Sequence, residues 1–124
     1  MISLINPTNF NKLSEKIILF IGLFSLVLFI VGIYWGLVIA PIDYQQGEMV
    51  RIMYIHVPSA WMALLIYSFI ALMSMTTIIF RNPITAIAAK SAAPIGLIFT
   101  LNVLLTGAIW GRPMWGVWWV WDAR

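Results

Sequence analysis

The sequence predicts an all-α integral membrane protein with three transmembrane helices, and three observations lead to this fold class. Of the 124 residues, 63% are hydrophobic and only 9% are charged, against about 25% charged residues in an ordinary soluble domain. Three apolar runs each have roughly the 20 residues that a helix needs to cross the hydrocarbon of a bilayer. These runs lack the polar faces of a soluble helical bundle, and isolated strands cannot satisfy their backbone in lipid.

The three predicted spans are residues 17–40, 59–80 and 92–110, and they form a membrane domain from residue 17 to residue 110. The first span, IILFIGLFSLVLFIVGIYWGLVIA, contains no charged residue. We expect all three helices to contact membrane lipid.

The basic residues around the spans predict an orientation, because the cytoplasmic flanks of membrane helices carry an excess of lysine and arginine. Four basic residues flank one side of the membrane and three flank the other: Lys12, Lys16, Arg81 and Lys90 against Arg51, Arg112 and Arg124. We therefore expect residues 1–16 to be a cytoplasmic N-terminal segment. The membrane would be the inner membrane of a bacterium, or that of a mitochondrion if the protein is organellar.

Two stretches must lie on one side of the membrane, because two spans separate them. They are the loop of residues 41–58 and the tail of residues 111–124, and we place both on the external side. The loop contains a possible amphipathic helix over residues 46–57, in which Glu48 and Arg51 are spaced to form an ion pair. Its apolar face would consist of four residues: Met49, Ile52, Met53 and His56.

The chain has a single histidine, His56, near the end of this loop. Pro58 suits the first turn of the second span, so His56 would precede a helix N-terminus, where the partial positive charge favours neutral imidazole. Neutral imidazole is the form that binds metal ions. A more ordinary explanation is an interfacial histidine bonded to a backbone carbonyl, since one ligand does not make a metal cage. Both interpretations stay open on these residues alone.

Tryptophan is concentrated at the end of the chain, where five of the seven tryptophans lie: Trp110, Trp115, Trp118, Trp119 and Trp121. An aromatic belt at the membrane interface explains the first two but not the other three. If the segment is helical, Trp115, Trp118 and Trp119 share a face with Asp122. If it is extended, Trp119 and Trp121 share one. Three residues are expected to break the third helix before this segment: Gly111, Pro113 and Gly116.

Clustered indole rings form a stacking surface for a flat apolar ligand. Arg112 and Arg124 flank the cluster and, with Arg51 on the same side of the membrane, can pair with ligand carboxylates. Haem is flat, apolar and carboxylated, and its iron commonly takes a histidine ligand. A quinone would use the same surface without needing His56, and membrane anchoring would need no ligand at all.

Two motifs carry a family resemblance. The segment WGVWWVWD, residues 115–122, fits the WGxxWxWD signature of the haem-handling membrane protein superfamily. The loop QQGEMVRIMYIHVPSAW, residues 45–61, resembles the first external loop of the members of that superfamily that serve cytochrome c maturation. The motifs occur in the order and on the side of the membrane that the family requires.

The resemblance implies that residues 111–124 form an external haem platform and that His56 is an axial ligand of the haem iron. The platform and its flanking cations would comprise Trp115, Gly116, Trp118, Trp119, Trp121, Asp122, Arg51, Arg112 and Arg124. Haem b would be a transiently bound cargo for cytochrome c-type biogenesis, presented to a membrane-anchored haem chaperone beside the ABC transporter subunits of the same system. Family members continue with further spans and a second axial histidine, so we expect this chain to correspond to a truncated N-terminal half.

Other functions stay open. The chain could be a structural membrane subunit without haem handling of its own, with its tryptophans as an interfacial anchor. A channel or transporter fragment would need ionisable residues inside its spans, whereas the third span holds Asn102, Thr100 and Thr106, which we expect to bond to neighbouring helices. No catalytic constellation is present and the basic residues are scattered, so we expect neither an enzyme nor a nucleic-acid-binding protein.

Overall fold

The computed structural model describes residues 7–121, with side chains from residue 12 onwards. Its elements are helix α1 (Pro7–Tyr34), a π-helical turn (Trp35–Ile39), helix α2 (Val50–Phe80) and helix α3 (Pro83–Trp115). Within these residues, three helical stretches are long and apolar enough to cross a membrane. The predicted all-α fold with three transmembrane helices is confirmed.

The first unit of the fold runs through residue 40 and consists of α1 and the π-helical turn. The sequence predicts a helix over residues 17–40, but α1 begins at Pro7. Proline suits the first turn of a helix, and the lysines and glutamate that follow it are good helix formers. Residues 7–16, which were predicted to belong to a separate N-terminal segment, are therefore part of α1. The helix extends beyond the apolar run because a change from apolar to polar residues does not by itself end a helix.

Helix α2 joins two segments that the sequence predicts as separate. The loop helix of residues 46–57 and the span of residues 59–80 form one helix from Val50 onwards, with Pro58 inside it. The expectation that Pro58 lies in the first turn of the span is wrong. The predicted start of the loop helix at residue 46 is wrong as well, because residues 46–49 precede α2 and are not α-helical. Pro58 lacks the N–H for a helical bond, but membrane helices tolerate such a break where neighbouring helices support them.

Helix α3 is longer at both ends than the predicted span of residues 92–110. The predicted linker of residues 81–91 is reduced to a two-residue turn, in which Arg81 has a φ of 50°. Asn82 caps the helix, because its side-chain oxygen accepts a hydrogen bond from the amide of Ile84 at 3.0 Å. Asparagine at the cap followed by proline at the first helical position is a strong start signal, and it explains the early beginning at Pro83.

The second unit of the fold, from residue 41 on, is built on an antiparallel hairpin of α2 and α3. Near its turn, the hydroxyls of Thr77 and Thr85 lie 2.7 Å apart. Further along, the side-chain amide of Asn102 donates to the buried hydroxyl of Ser59 at 2.8 Å. Hydrogen bonds between helices are one of the forces that associate helices in lipid, so these pairs fix the register of the hairpin.

The polar side chains of the third span fall into two groups. Asn102 and Thr106 bond to α2, as expected. Thr100 instead donates to the carbonyl of Gly96 in its own helix at 2.9 Å. Gly96 is buried in the hairpin, where an added Cβ would lie 3.1 Å from Cγ2 of Ile66, so its small size allows the two helices to approach closely.

Candidate functional site

A cavity of about 500 Å³ lies at the end of the hairpin where α2 begins and α3 ends. Small-molecule sites typically have volumes of about 300–1,000 Å³. His56 from α2, one face of α3 and residues 117–121 of the tail line this cavity. The residues from α3 are Val103, Leu104, Gly107, Trp110, Gly111 and Trp115. The cavity thus brings together the two stretches that the sequence places on one side of the membrane.

His56 supplies the polar wall of the cavity. It lies in the second turn of α2, which starts at Val50, so the expectation that it precedes a helix N-terminus is wrong. Nδ1 of His56 lies 2.9 Å from Oγ1 of Thr106, and a Cβ added to Gly107 would lie 3.2 Å from Cε1 of the imidazole. Gly107 therefore leaves space for the ring against α3.

The predicted tail is helical as far as Trp115, so the tail proper consists of residues 116–121 in the described part of the chain and leaves α3 at Gly116. Its φ of 79° is in the left-handed region that glycine tolerates, and its amide donates to the carbonyl of Arg112 at 2.8 Å, which forms a left-handed helix cap. Gly111 and Pro113 were also expected to break the helix, but both lie within α3. Pro113 removes one hydrogen bond near the helix end, and Gly111 serves packing instead. A Cβ added to Gly111 would lie 3.5 Å from the carbonyl oxygen of Val117, so the tail folds back over this glycine.

The tryptophan rings meet edge to face. Trp110 and Trp115, on α3, have ring centroids 4.8 Å apart and planes at 87°. Trp119 and Trp121, in the tail, have centroids 5.5 Å apart and planes at 77°. Such T-shaped pairs are a favoured arrangement of aromatic rings. Because residues 116–121 are not helical, the helical alternative is wrong, and Trp119 and Trp121 lie together as the other alternative expects.

The loop before α2 holds one of these indoles. Oε1 of Gln46 accepts a hydrogen bond from the indole N–H of Trp110 at 3.0 Å. The loop is shaped by Asp43, whose side-chain oxygen accepts from the amides of Gln45 and Gln46 at 2.9 and 2.8 Å. Gly47 closes the turn with a φ of 59°. The loop thus places Gln46 opposite the end of α3.

Two of the predicted arginines do not line the cavity, and of these Arg112 contacts a lining residue. The guanidinium of Arg112 lies 4.8 Å from the centroid of the Trp118 ring, which is a cation–π contact. Arg51 pairs with Glu48, as their spacing predicts. Gly116 shapes the tail and is not part of the lining. Two other predicted site residues lie outside the described residues: Asp122 and Arg124.

His56 is also the metal ligand that the sequence predicts. Among residues 7–121, no three histidine, aspartate or glutamate side chains come together as a protein metal cage would require. The described lining of the cavity therefore offers a metal one imidazole. This donor set suits a metal whose other ligands come from a macrocycle, as in haem proteins.

Comparison with known proteins decides the family. The family model described as heme exporter protein C matches residues 1–124, which is the whole chain. The chain belongs to the heme exporter protein C family. This membership confirms the resemblance that the tryptophan signature and the His56 loop indicate.

Individual members of the heme exporter protein C family are similar to most of this chain. The protein of that name from Bradyrhizobium diazoefficiens is 45% identical over 124 residues, which are 100% of this chain and 47% of the relative. The one from Haemophilus influenzae is 44% identical over 118 residues, 95% of this chain and 48% of the relative. A ccmC-like mitochondrial protein of cytochrome c biosynthesis from Marchantia polymorpha is 52% identical over 93 residues, 75% of this chain and 41% of the relative. The chain spans about half the length of the curated relatives it matches.

Family membership and the helices agree on the class of protein. Within residues 12–115, the chain has three helices able to cross a membrane, and its relatives are heme exporter proteins. The protein is a multi-pass membrane protein.

Three residues that the sequence did not place in the candidate site contact its members: Thr106 and Gly107 contact His56, and Gln46 contacts Trp110. One signal for them was present in the sequence. Gly107 and Gly111 are four residues apart in GAIWG, the spacing at which small residues let a partner approach a membrane helix. In this site the first glycine admits the imidazole and the second admits the tail.

Proposed function

We propose that this chain binds haem in the cavity at the end of the hairpin, as part of a protein that handles haem for cytochrome c-type biogenesis. The observation that carries the proposal is that His56 and the tryptophans of α3 and the tail line one cavity of about 500 Å³. Family membership supports it, because similar proteins are named heme exporter protein C.

The residues around the cavity fit haem in three respects. The indole walls offer a flat apolar ligand both stacking and buried area. His56 offers one imidazole, a common axial ligand of haem iron. Arg112, beside the cavity, carries a guanidinium that can pair with a carboxylate. Bound haem supplies the iron, while the residues of this chain hold the macrocycle, orient it and shield one face from water.

The site acts by presentation and not by turnover. Haem b is a transient cargo on the outer face of the inner membrane of a bacterium, or of a mitochondrion, and the N-terminus is cytoplasmic. The cargo passes to a membrane-anchored haem chaperone, and ABC transporter subunits of the same system act beside it. The exposure of the tail supports such a transfer, because Trp121 is 92% exposed and a ligand held at an open edge is accessible to a partner.

Haem titration of the purified chain in detergent tests this proposal. Replacing Trp119 and Trp121 together with alanine removes roughly 0.5–1.5 kcal/mol per aromatic contact, besides buried area. We therefore expect haem affinity to fall by about tenfold or more, with the axial-ligand spectrum unchanged. Trp61→Ala is the matched control, because Trp61 is exposed on α2 and outside the cavity lining. Equal affinities of the double variant and the control would contradict the proposal.

The exposure of the tail also favours a second candidate function, interfacial anchoring. Tryptophan is enriched where membrane segments leave the bilayer, and Trp118 and Trp119 are each about half exposed. Anchoring predicts that the double alanine variant changes how firmly the tail associates with lipid vesicles and leaves haem affinity unchanged. The same two variants therefore separate the two functions.

A further inference from the structure

The side chain of His56 forms a hydrogen bond that determines which of its nitrogens can bind a metal. Nδ1 lies 2.9 Å from Oγ1 of Thr106 on α3, and both residues are half-buried. A neutral imidazole carries a proton on one ring nitrogen and a lone pair on the other. The direction of the bond to Thr106 therefore decides whether Nδ1 or Nε2 is free for a metal.

The surroundings of Thr106 fix that direction. Its Oγ1 lies 2.6 Å from the carbonyl oxygen of Asn102 and 3.3 Å from that of Val103. A hydroxyl has one proton to donate, and carbonyl oxygens only accept. Two oxygens at 2.6 Å would repel each other without a proton between them. The proton of Thr106 is therefore directed to Asn102, and its oxygen accepts from His56.

It follows that Nδ1 of His56 carries the proton and donates it to Thr106, while Nε2 keeps a free lone pair. We infer that Thr106 is a positioning residue, which holds His56 in the Nδ1–H tautomer and leaves Nε2 as the nitrogen that binds haem iron. The identity of the metal rests on the proposed function. The tautomer itself does not, because it follows from the contacts of Thr106 alone.

A chain of hydrogen bonds behind Thr106 keeps it opposite the imidazole. The backbone carbonyl of Asn102 accepts from Thr106, and its side-chain amide donates to Ser59 at 2.8 Å. Ser59 is 4% exposed and donates to the carbonyl of Ile55 at 2.7 Å. These hydrogen bonds thus link α3 to α2 within one turn of His56. Groups that orient a ligating histidine in this way typically contribute about 10–100-fold to metal affinity.

Nitrogen NMR measures the tautomer of His56 directly and without haem. His56 is the only histidine of the chain, so isotopic labelling of histidine rings gives signals from this residue alone. In the neutral ring of the wild type we expect a protonated Nδ1 and an unprotonated Nε2. Thr106→Val should lose this preference, and Thr106→Ser, which keeps the hydroxyl, should retain it. Thr100→Val is the matched control, because Thr100 donates to a carbonyl of its own helix in the same way.

Haem titration gives the second measurement. We expect Thr106→Val to bind haem about 10–100-fold more weakly than the wild type, with Thr106→Ser and Thr100→Val close to the wild type. A wild-type ring protonated at Nε2 would overturn the inference whether or not Thr106→Val folds, and so would an unchanged tautomer in a folded Thr106→Val. An Nδ1–H tautomer together with an unchanged spectrum of bound haem in His56→Ala would overturn the role of Thr106 and His56 toward iron and leave only the tautomer, whereas a wild type that binds no haem would overturn the proposed function.

Discussion

The indole N–H of Trp110 donates a hydrogen bond to Oε1 of Gln46 at 3.0 Å, across 64 positions of the sequence. This bond joins the last turns of α3 to the loop before α2, at the same end of the hairpin as His56. It therefore fixes one indole wall of the cavity relative to the loop that leads to the proposed iron ligand.

Removing this bond should loosen the cavity. Gln46→Leu leaves the indole N–H of Trp110 without its acceptor, and a typical intramolecular hydrogen bond contributes about 0.5–1.5 kcal/mol to stability. We expect the free energy of unfolding in detergent to fall by about that amount and haem affinity to fall with it. Gln45→Leu is the control, because the side chain of Gln45 is exposed. If the two leucine variants unfold alike, the Gln46–Trp110 bond is not what holds this wall.

A methyl group at Gly107 should displace the imidazole. An added Cβ would lie 3.2 Å from Cε1 and 3.7 Å from Nδ1 of His56, so the ring must move by a few tenths of an ångström. We expect Gly107→Ala to lower haem affinity by about tenfold, the lower end of the effect of disturbing a ligating histidine. Gly22→Ala on α1 is the control, since an added Cβ there meets nothing within 4 Å. Alanine favours a helix by up to about 1 kcal/mol over glycine in both variants, so this contribution is the same in the variant and its control. Equal haem affinities of the two variants would show that a methyl group at residue 107 does not displace the imidazole of His56.

The left-handed cap at Gly116 should be needed to turn the tail. Its φ of 79° costs a residue with a Cβ roughly 1–2 kcal/mol, so Gly116→Ala should reduce the free energy of unfolding or displace the tail from α3. Asparagine tolerates this conformation better than alanine. Gly116→Asn should therefore be closer to the wild type, and a Gly116→Ala variant as stable and as competent in haem binding as Gly116→Asn would refute the role of the cap.

The loop before α2 and the tail should be accessible from the same side of the membrane. The chain has no cysteine, so cysteines introduced at Tyr44 and Val117 can be labelled selectively. Both positions are exposed, and we expect an impermeant thiol reagent to label both in intact cells. A cysteine at Ile84, at the opposite end of the hairpin, is exposed as well and should remain unlabelled until the membrane is opened. Labelling of only one of the first two positions would contradict the hairpin.

Hydropathy predicted the number of membrane helices but not their ends. It reports where a helix meets lipid, and α2 and α3 continue beyond that region. The start of α3 depends on the cap formed by Asn82, which is a local signal that hydropathy does not contain. The continuity of α2 across Pro58 was not predicted, because proline was expected in the first turn of the span, whereas membrane helices also tolerate it in their interior.

The site was predictable in part. The tryptophan segment and His56 are visible in the sequence, and counting spans places them at one side of the membrane. Thr106 and Gln46 could not be predicted, because their roles depend on which turn of α3 faces which turn of α2. That register is set by pairs such as Asn102 with Ser59, and no spacing within either helix encodes it.

The absorption spectrum of haem bound to this chain, compared between the wild type and His56→Ala, shows whether His56 binds the iron. If the tryptophans hold the macrocycle and His56 binds the iron, the wild type and His56→Ala should both bind some haem, but with different ligands on the iron. We expect His56→Ala to show shifted Soret and visible bands, and added imidazole to restore the wild-type bands in His56→Gly. Identical Soret and visible bands in wild type and His56→Ala, at equal helix content, would contradict the account.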